Sequence, residues 1–236
     1  MSTTKIFSRR DFLKTSGFAA AGLALAGCAP AVAQPPSDEG PVSNADEALK
    51  RLVDGNKRYV ANKSIVLNES ESRRAALANV QNPFATIFSC VDSRVPPELI
   101  FDRGLGDLFV IRTAGQVIDN AVLGSLQYGV AELKIPVLMV LGHERCGAVK
   151  ASIETVEKNA TAPAEINWLV DGIRPAVEKV HGQTGDVLDL TVRANVEVVV
   201  ERLKTSAILA DAFKKGDLKI VGAHYDLDTG LVEMIA

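Results

Sequence analysis

Three short, uninterrupted apolar runs constrain the fold of this chain more than any other feature of its sequence. They cover residues 84–88, 108–111 and 136–142, and polar, Gly or Pro residues lie at or next to the ends of each. Runs of this kind predict strands that are covered on both faces, as in a parallel sheet. Helical patterns lie between the second and third run and again after the third, over residues 120–133, 147–157, 164–181, 187–205 and 207–214. The alternation predicts an α/β fold with a mainly parallel central β-sheet flanked by helices.

Further elements are predicted at both ends of this region. A first helix, capped by Ser43 or Asn44, would carry its apolar residues on one side, and a second would cover residues 70–80. Residues 218–223 and 231–235 predict a late strand pair around the turn 228–230. Trp168 and the aliphatic residues near it are expected in a helix core. His181 ends a predicted helix, where a surface position is expected.

The N-terminal region has the pattern of an export signal. Residues 8–14, which contain the pair Arg9 and Arg10, resemble the twin-arginine motif. The apolar stretch 18–27 is too short to span about 30 Å of hydrocarbon comfortably. Residues 1–27 are therefore predicted to be a signal peptide, 28–42 a Pro-rich linker or tether, and 43–236 a catalytic domain. The alternative is a buried N-terminal helix.

Residues 25–28 resemble a lipobox, which would place a lipidated Cys28 at the mature N-terminus. A competing cleavage site of the small-residue type follows at residues 31–33. In both cases Cys28 lies outside the predicted fold. The expected location is the periplasm or cell envelope, with a possible lipid anchor through Cys28.

Charge and cysteine content exclude two broad classes of protein. The formal net charge of −3, without a long basic stripe, argues against nucleic acid as a partner. Three cysteines cannot form a disulfide framework in which every thiol is paired.

The other two cysteines follow predicted strands. Cys90 comes after the first apolar run, and His143 and Cys146 come after the third. If these strands are parallel neighbours, their carboxyl ends open into the same crevice. Thiolate and imidazole are ligands of Zn²⁺, and three protein ligands leave a fourth position open, as in catalytic zinc sites. Taken singly, such a cysteine is more often a small buried hydrophobe. Together the three residues favour a metal site.

The motifs Cys90-x-Asp92-Ser93-Arg94 and His143-x-x-Cys146-Gly147 resemble the signature of the β-class carbonic anhydrases. Segments 55–58, 112–115, 124–128 and 222–226 are also similar to that family, although Thr113 replaces the usual Asn. The similarity spans about residues 45–235.

The resemblance implies one Zn²⁺ per chain, held by Cys90, His143 and Cys146. Asp92 and Arg94 would form a catalytic dyad beside it. The substrate pocket would include Gln81, Phe109, Ala114, Tyr128 and the backbone N–H of Gly147. Gln81 is similar to a glutamine of the plant-like subgroup. The expected activity is reversible hydration of carbon dioxide to bicarbonate and a proton by zinc-bound hydroxide, in a homodimer or higher oligomer whose sites share residues between subunits.

The resemblance also bears on regulation. Some family members bind bicarbonate at a non-catalytic pocket built from a Trp, an Arg and a Tyr, and the catalytic Asp then swings onto the zinc. Here Arg112 and Tyr225 occupy the corresponding places, but Ile87 replaces the Trp and has no N–H donor. We therefore expect a site that stays accessible, with Arg94 holding Asp92 off the metal.

Three alternatives stay open at this point. One is hydrolysis of carbonyl sulfide or carbon disulfide on the same scaffold. Another is a non-catalytic zinc-binding bicarbonate sensor. The third is a cysteine hydrolase that uses Cys146 and His143, which leaves Cys90 unexplained. His224 is either a proton shuttle or, as we expect, a polar residue at a strand end.

Overall fold

The computed structural model of the chain describes Gly40, Val42 and residues 44–65 and 69–236. The helices are α1 (Ala45–Val60), α2 (Glu71–Leu77), α3 (Pro97–Ile100), α4 (Asn120–Ala131), α5 (Gly147–Glu157), α6 (Ile166–Val180), α7 (Val187–Lys204) and α8 (Ala207–Lys215). The strands are β1 (Ala85–Ser89), β2 (Leu108–Arg112), β3 (Val137–His143), β4 (Lys219–Tyr225) and β5 (Val232–Met234), and a 3₁₀ turn covers Ala114–Gln116.

Within the described residues, the strands form one sheet in the order β2-β1-β3-β4-β5. The first four are parallel, and β5 pairs antiparallel with β4. β1 lies between β2 and β3, with Ser89 opposite Arg112 on one side and Leu141 on the other. The sequence-based prediction of an α/β fold with a mainly parallel sheet is confirmed, and so is the parallel pairing of the first and third apolar runs.

Each face of the sheet is covered by helices. On one face, Ala48 and Leu52 of α1 pack in a cluster with Ile87 and Met139. α1 begins where predicted, because the Asn44 side chain accepts a hydrogen bond from the Glu47 N–H at 3.0 Å.

On the other face, apolar residues of α4 and α7 pack against β1, β3 and β4. Two strand glycines allow α7 to approach closely. A Cβ on Gly142 would lie 2.5 Å from Val196 Cγ2, and one on Gly222 would lie 2.7 Å from Val196 Cγ1. The sheet therefore needs these glycines to hold α7 close against β3 and β4.

The prediction that Trp168 belongs to a helix core is wrong. Its side chain is 68% exposed. The buried stripe of α6 runs through Val170, Ile173, Val177 and Val180, at helical spacing. Trp168 precedes Val170 by two residues, which places it about 200° around the helix and on the solvent side. His181 caps the C-terminal end of α6 and is exposed, as expected.

Element ends differ modestly from the sequence-based predictions. α2 ends at Leu77 rather than at residue 80, and α6 begins at Ile166 rather than at residue 164. α3 and the 3₁₀ turn were not predicted. The predicted signal peptide, Cys28 and almost all of the predicted linker lie outside the described residues. In the part of the chain that the structure describes, we find no helix with the length and apolar character needed to cross a bilayer.

Candidate metal centre and its surroundings

Cys90, His143 and Cys146 meet at the carboxyl edge of the sheet. Cys90 follows the last residue of β1, His143 is the last residue of β3, and Cys146 is the N-cap of α5. β1 and β3 are parallel neighbours, so their ends lie side by side. Between the last two ligands, Arg145 has a positive φ of 52°, which marks a tight turn from the strand into the helix. Strand pairing and this turn together bring the three side chains to one point.

The geometry of these three side chains suits a tetrahedral metal ion. Their ligand atoms all lie within 4.8 Å of one another, and the Cys90 and Cys146 Sγ atoms are 4.0 Å apart. Two sulfurs at about 2.3 Å from a tetrahedral zinc would be about 3.8 Å apart. Both cysteines are free thiols, and all three side chains are buried. The His143 Nε2 atom is buried and has no hydrogen-bond partner among the described residues. The donor set therefore fits zinc.

The histidine is held in the orientation that a ligand needs. Its Nδ1 lies 2.8 Å from the Glu144 carbonyl oxygen, to which it donates. That bond places the ring proton on Nδ1 and leaves the Nε2 lone pair free. Metal-binding histidines commonly use a backbone carbonyl in this way.

The two thiols influence each other's ionisation. The hydrogen bond from Cys146, with a smaller contribution from His143, lowers the pKa of Cys90. The pKa of Cys146 is raised, because it donates to Cys90 and because it is buried. One thiolate therefore forms readily in the absence of metal, and a bound cation would deprotonate the second.

Asp92 lies beside this cluster and is held by Arg94. The Arg94 Nε and Nη2 atoms donate to Asp92 Oδ1 at 2.9 Å and Oδ2 at 2.8 Å, and the Arg94 N–H donates to Oδ1 at 3.0 Å. This bidentate pairing lowers the pKa of Asp92 to about 2. Asp92 Oδ2 is 3.9 Å from His143 Nε2. An ionised carboxylate thus stands next to the position of the metal, with both oxygens engaged by Arg94.

Arg112 supports the loop that carries Cys90 and Asp92. Its Nε donates to the Cys90 carbonyl at 2.8 Å and its Nη2 to the Asp92 carbonyl at 2.7 Å. Arg112 is the last residue of β2, opposite Ser89, so its side chain reaches this loop from the neighbouring strand. The guanidinium therefore fixes the backbone on both sides of Val91.

A second support was not predicted from the sequence. The Gly115 N–H, in the 3₁₀ turn, donates to Cys90 Sγ at 3.5 Å. Asn195 of α7 donates from Nδ2 to the Gly115 carbonyl at 2.8 Å, and Gln116 donates from Nε2 to the Leu141 carbonyl at 3.0 Å. One signal could have indicated Asn195: it is a lone amide within the apolar side of a helical pattern.

Of the predicted pocket residues, Ala114 and Gly147 are each next in sequence to a residue at the cluster. Ala114 precedes Gly115 in the 3₁₀ turn, and Gly147 is the first residue of α5, directly after Cys146. A Cβ placed on Gly147 would meet no atom within 4 Å, so open space lies before the N-terminus of α5.

Gln81, Phe109 and Tyr128 do not join the cluster within this chain. Gln81 is exposed and precedes β1, whereas Cys90 follows it, and five strand residues span roughly 17 Å. Phe109 pairs with Thr86 in the sheet register and packs near Tyr128, with ring centroids 6.4 Å apart. Tyr128 is 48% exposed. These three residues lie along the outer edge of β2 and α4 or at the opposite end of β1.

His224 is a buried residue of β4. Its Nε2 is 3.1 Å from Asp189 Oδ1 of α7. Burial, with the charge of Arg193 as a second cause, lowers the pKa of His224. The strand position agrees with the expected structural role, and no contact here tests a role in proton transfer.

The fold and this cluster define an α/β protein with three candidate metal ligands at the carboxyl edge of a parallel sheet. Residues 85–232 match the family model described as "Carbonic anhydrase". The chain is 40% identical over 195 residues to "Carbonic anhydrase" of Mycolicibacterium smegmatis, covering 82% of this chain and 95% of that protein. It is 40% identical to "Carbonic anhydrase 2" of Mycobacterium tuberculosis, covering 80% and 92%.

A solved structure, the Coccomyxa β-carbonic anhydrase in complex with acetazolamide, has a TM-score of 0.64 to this chain. It is 29% identical, with 79% of this chain and 86% of that one covered. The β-carbonic anhydrase CcaA has a TM-score of 0.63 at 25% identity, with 80% and 98% covered. The chain belongs to the β-class carbonic anhydrase family.

Proposed function

We propose that this chain is a zinc-dependent carbonic anhydrase that interconverts carbon dioxide and water with bicarbonate and a proton. The observation that carries the proposal is the buried group of Cys90, His143 and Cys146, with the ionised Asp92 beside it. The relatives named carbonic anhydrase agree with this activity and do not favour carbonyl sulfide or carbon disulfide hydrolysis, bicarbonate sensing or cysteine hydrolysis.

Zinc bound by the three side chains would lower the pKa of its water to about 7. This is the value for carbonic anhydrases that hold zinc with three histidines. The residues of the chain would orient the reaction. Asp92 would accept a hydrogen bond from the attacking oxygen, because its pKa of about 2 keeps it an acceptor at neutral pH. Arg94 keeps that carboxylate ionised and in one orientation. The N-terminus of α5, at Gly147, offers a backbone N–H to the substrate oxygen.

Cys90→Ser tests the metal assignment. Serine cannot supply the thiolate, so the purified variant should contain little zinc and show no hydration above background. Cys28→Ser is the matched control, since it removes a thiol that is outside the proposed ligand set, and it should keep one zinc per chain and full activity. Zinc content by elemental analysis and carbon dioxide hydration by stopped flow are measured on the same samples. Full zinc and activity in Cys90→Ser would contradict the proposal.

We further propose that the enzyme belongs to the plant-like subgroup and that its site stays accessible at neutral pH. Arg112 donates to two backbone carbonyls in the site loop. Ile87 is fully buried in β1 and has no N–H donor. Tyr225 lies with its hydroxyl 3.3 Å from that of Tyr59. These contacts favour a hydration rate that follows a single apparent pKa without cooperativity or inhibition by bicarbonate.

The proposed assembly is a homodimer, or an oligomer of dimers, formed at the edge of β2 and α4. β2 is half-buried at all five positions and, within the residues that the structure describes, has a strand neighbour on one side only. Tyr128 is exposed beside Phe109 on this edge. Gln81, Phe109 and Tyr128 would then complete the substrate pocket at the metal centre of a second copy, since they lie away from the centre of their own chain.

Export by the twin-arginine route is proposed from residues 8–14 and lipidation from residues 25–28. This route carries folded proteins, which suits a protein that loads zinc before transport. Replacing Arg9 and Arg10 with Lys should trap the precursor inside the cell, while Cys28→Ser should release the exported protein from the membrane fraction. Cell fractionation measures both. Unchanged export of the double Lys variant would exclude the twin-arginine route.

A further inference from the structure

We propose that Asn195 of α7 is a positioning residue for the metal centre, and that it acts by fixing Gly115 against the sulfur of Cys90. This inference rests on the proposed zinc site. According to this inference, α7 contributes to how strongly the Cys90 sulfur donates to a metal, although α7 is remote from Cys90 in the sequence.

Two hydrogen bonds connect the helix to the ligand. The Asn195 Nδ2 donates to the Gly115 carbonyl at 2.8 Å, and the Gly115 N–H donates to Cys90 Sγ at 3.5 Å. Asn195 is 1% exposed, so losing its hydrogen bond to Gly115 would be costly because water does not readily replace the amide. The orientation of Gly115 therefore depends directly on this side chain.

The turn around Gly115 is held from several sides. Gly115 has a φ of 63°, and a Cβ at this position would lie 2.5 Å from Ile173 Cδ1 of α6. The next residue, Gln116, has a φ of 54° and donates to the Leu141 carbonyl of β3 at 3.0 Å. Backbone in this region is unfavourable for Gln and needs support from its surroundings. Asn195 supplies that support on the side of α7.

The expected consequence is electronic as well as geometric. A hydrogen bond to a thiolate withdraws electron density from sulfur, which weakens its donation to a metal. A metal held by two thiolates is less electrophilic than one held by three imidazoles. The Gly115 N–H would therefore restore part of the Lewis acidity of the metal. Hydrogen-bond partners of metal ligands typically change metal affinity or activity 10- to 100-fold when they are removed.

Asn56 provides a matched control elsewhere in the domain. It is also a helical asparagine, 3% exposed, and it donates from Nδ2 to the carbonyl of a glycine, Gly230, at 2.8 Å. It donates to the Ile100 carbonyl as well, at 3.2 Å, and accepts from the Val232 N–H at 2.9 Å. None of these contacts involves Cys90, His143 or Cys146. Replacing Asn56 therefore destabilises the fold without touching the metal ligands.

The experiment compares Asn195→Leu with Asn56→Leu in the cobalt-substituted protein. Leucine keeps the approximate size and removes the donor. In Asn195→Leu we expect the thiolate-to-cobalt charge-transfer band to move to lower energy, because the Gly115 N–H no longer withdraws electron density from the sulfur. Cobalt binding should weaken about tenfold, because Cys90 is no longer held in position before the metal binds, and this loss outweighs the stronger donation of the sulfur. We also expect the midpoint of the pH profile for hydration by the zinc form to rise. In Asn56→Leu the melting temperature should fall, with the cobalt spectrum and that midpoint unchanged. Asn195→Ala is measured in parallel as a smaller side chain, in case leucine does not fit.

An unchanged charge-transfer band and cobalt affinity in a folded Asn195 variant would overturn the inference. An equal shift in Asn56→Leu would overturn it as well, because the effect would then follow general destabilisation. Failure of the proposed metal site gives a different result: the unmodified protein itself would bind no cobalt through thiolates.

Discussion

β1 and β3 are buried at every position, whereas β2 is only half-buried along its whole length. All three were predicted from the same kind of apolar run. β1 and β3 each have a strand on both sides and helices on both faces, and their carboxyl ends carry the candidate metal ligands. β2 has β1 on one side and no strand on the other among the described residues.

The difference shows that an apolar run predicts a strand but not how deeply that strand is buried within one chain. β1 and β3 are buried within the chain, and the three candidate metal ligands lie at their carboxyl ends. Among the described residues, β2 has a strand on one side only, and Phe109 of β2 and Tyr128 of α4 lie near its other edge, which a second copy would cover in the proposed assembly. The molecule therefore has a buried interior that carries the candidate metal ligands and an edge that we propose as the assembly surface.

The largest expected effect is a difference in the free energy of unfolding between a substitution in the buried strand β1 and one in the edge strand β2. Phe88→Ala, in β1, should lower the free energy of unfolding by about 3–5 kcal/mol, because its side chain is fully buried. Phe109→Ala, in β2, should lower it by only about 1–2 kcal/mol within a single chain, since it is half-buried. Urea unfolding at one low protein concentration measures both. Equal losses would remove the distinction between interior and edge.

A second prediction concerns the pair of Arg94 and Asp92, which lies beside the carboxyl ends of β1 and β3. Arg94→Gln should reduce kcat/KM for hydration roughly 10- to 100-fold, with zinc content unchanged, because Asp92 loses its fixed orientation. The pKa of Asp92 would rise from about 2 toward its ordinary value of about 3.9. The carboxylate stays ionised in the variant, so the loss should be constant from pH 6 to 9.

The lowered pKa of Asp92 also has a stability consequence of defined sign. Its ion pair stabilises the folded protein above about pH 4, and this contribution is lost as the pH falls toward 2.

The control for the activity of Arg94→Gln is Arg94→Lys, which keeps the charge but not the bidentate pairing. If Arg94→Gln instead lost activity only below pH 5, orientation would not be the role of Arg94.

The smallest effect on the single chain is expected at the edge. Tyr128→Arg should weaken dimerisation about tenfold or more, and activity should fall with it while zinc is retained. Trp168→Arg is the matched control, since it replaces another exposed aromatic residue on a helix. It should leave assembly and activity unchanged. Sedimentation and hydration at several protein concentrations measure these effects; an unaltered oligomer in Tyr128→Arg would place the interface elsewhere.

Much of the fold was predictable because it depends on local patterns. The apolar runs predict β1, β2 and β3, and the motifs that follow the first and third runs predict that Cys90, His143 and Cys146 lie together. Trp168 was misassigned because its helix buries a stripe that begins two residues later, which only the packing of α6 determines. The link from Asn195 through Gly115 to Cys90 joins residues 80 and 25 positions apart. No spacing rule predicts such contacts, since tertiary packing creates them.

The most direct test of the central claim is a crystal structure of the zinc-loaded protein near pH 7.5, with the metal located by anomalous scattering. We expect zinc bonded to Cys90, His143 and Cys146, a solvent molecule or anion as the fourth ligand, and Asp92 still paired with Arg94. An Asp92 oxygen at about 2.0–2.2 Å from the zinc, or zinc bound by any other residues, would contradict it.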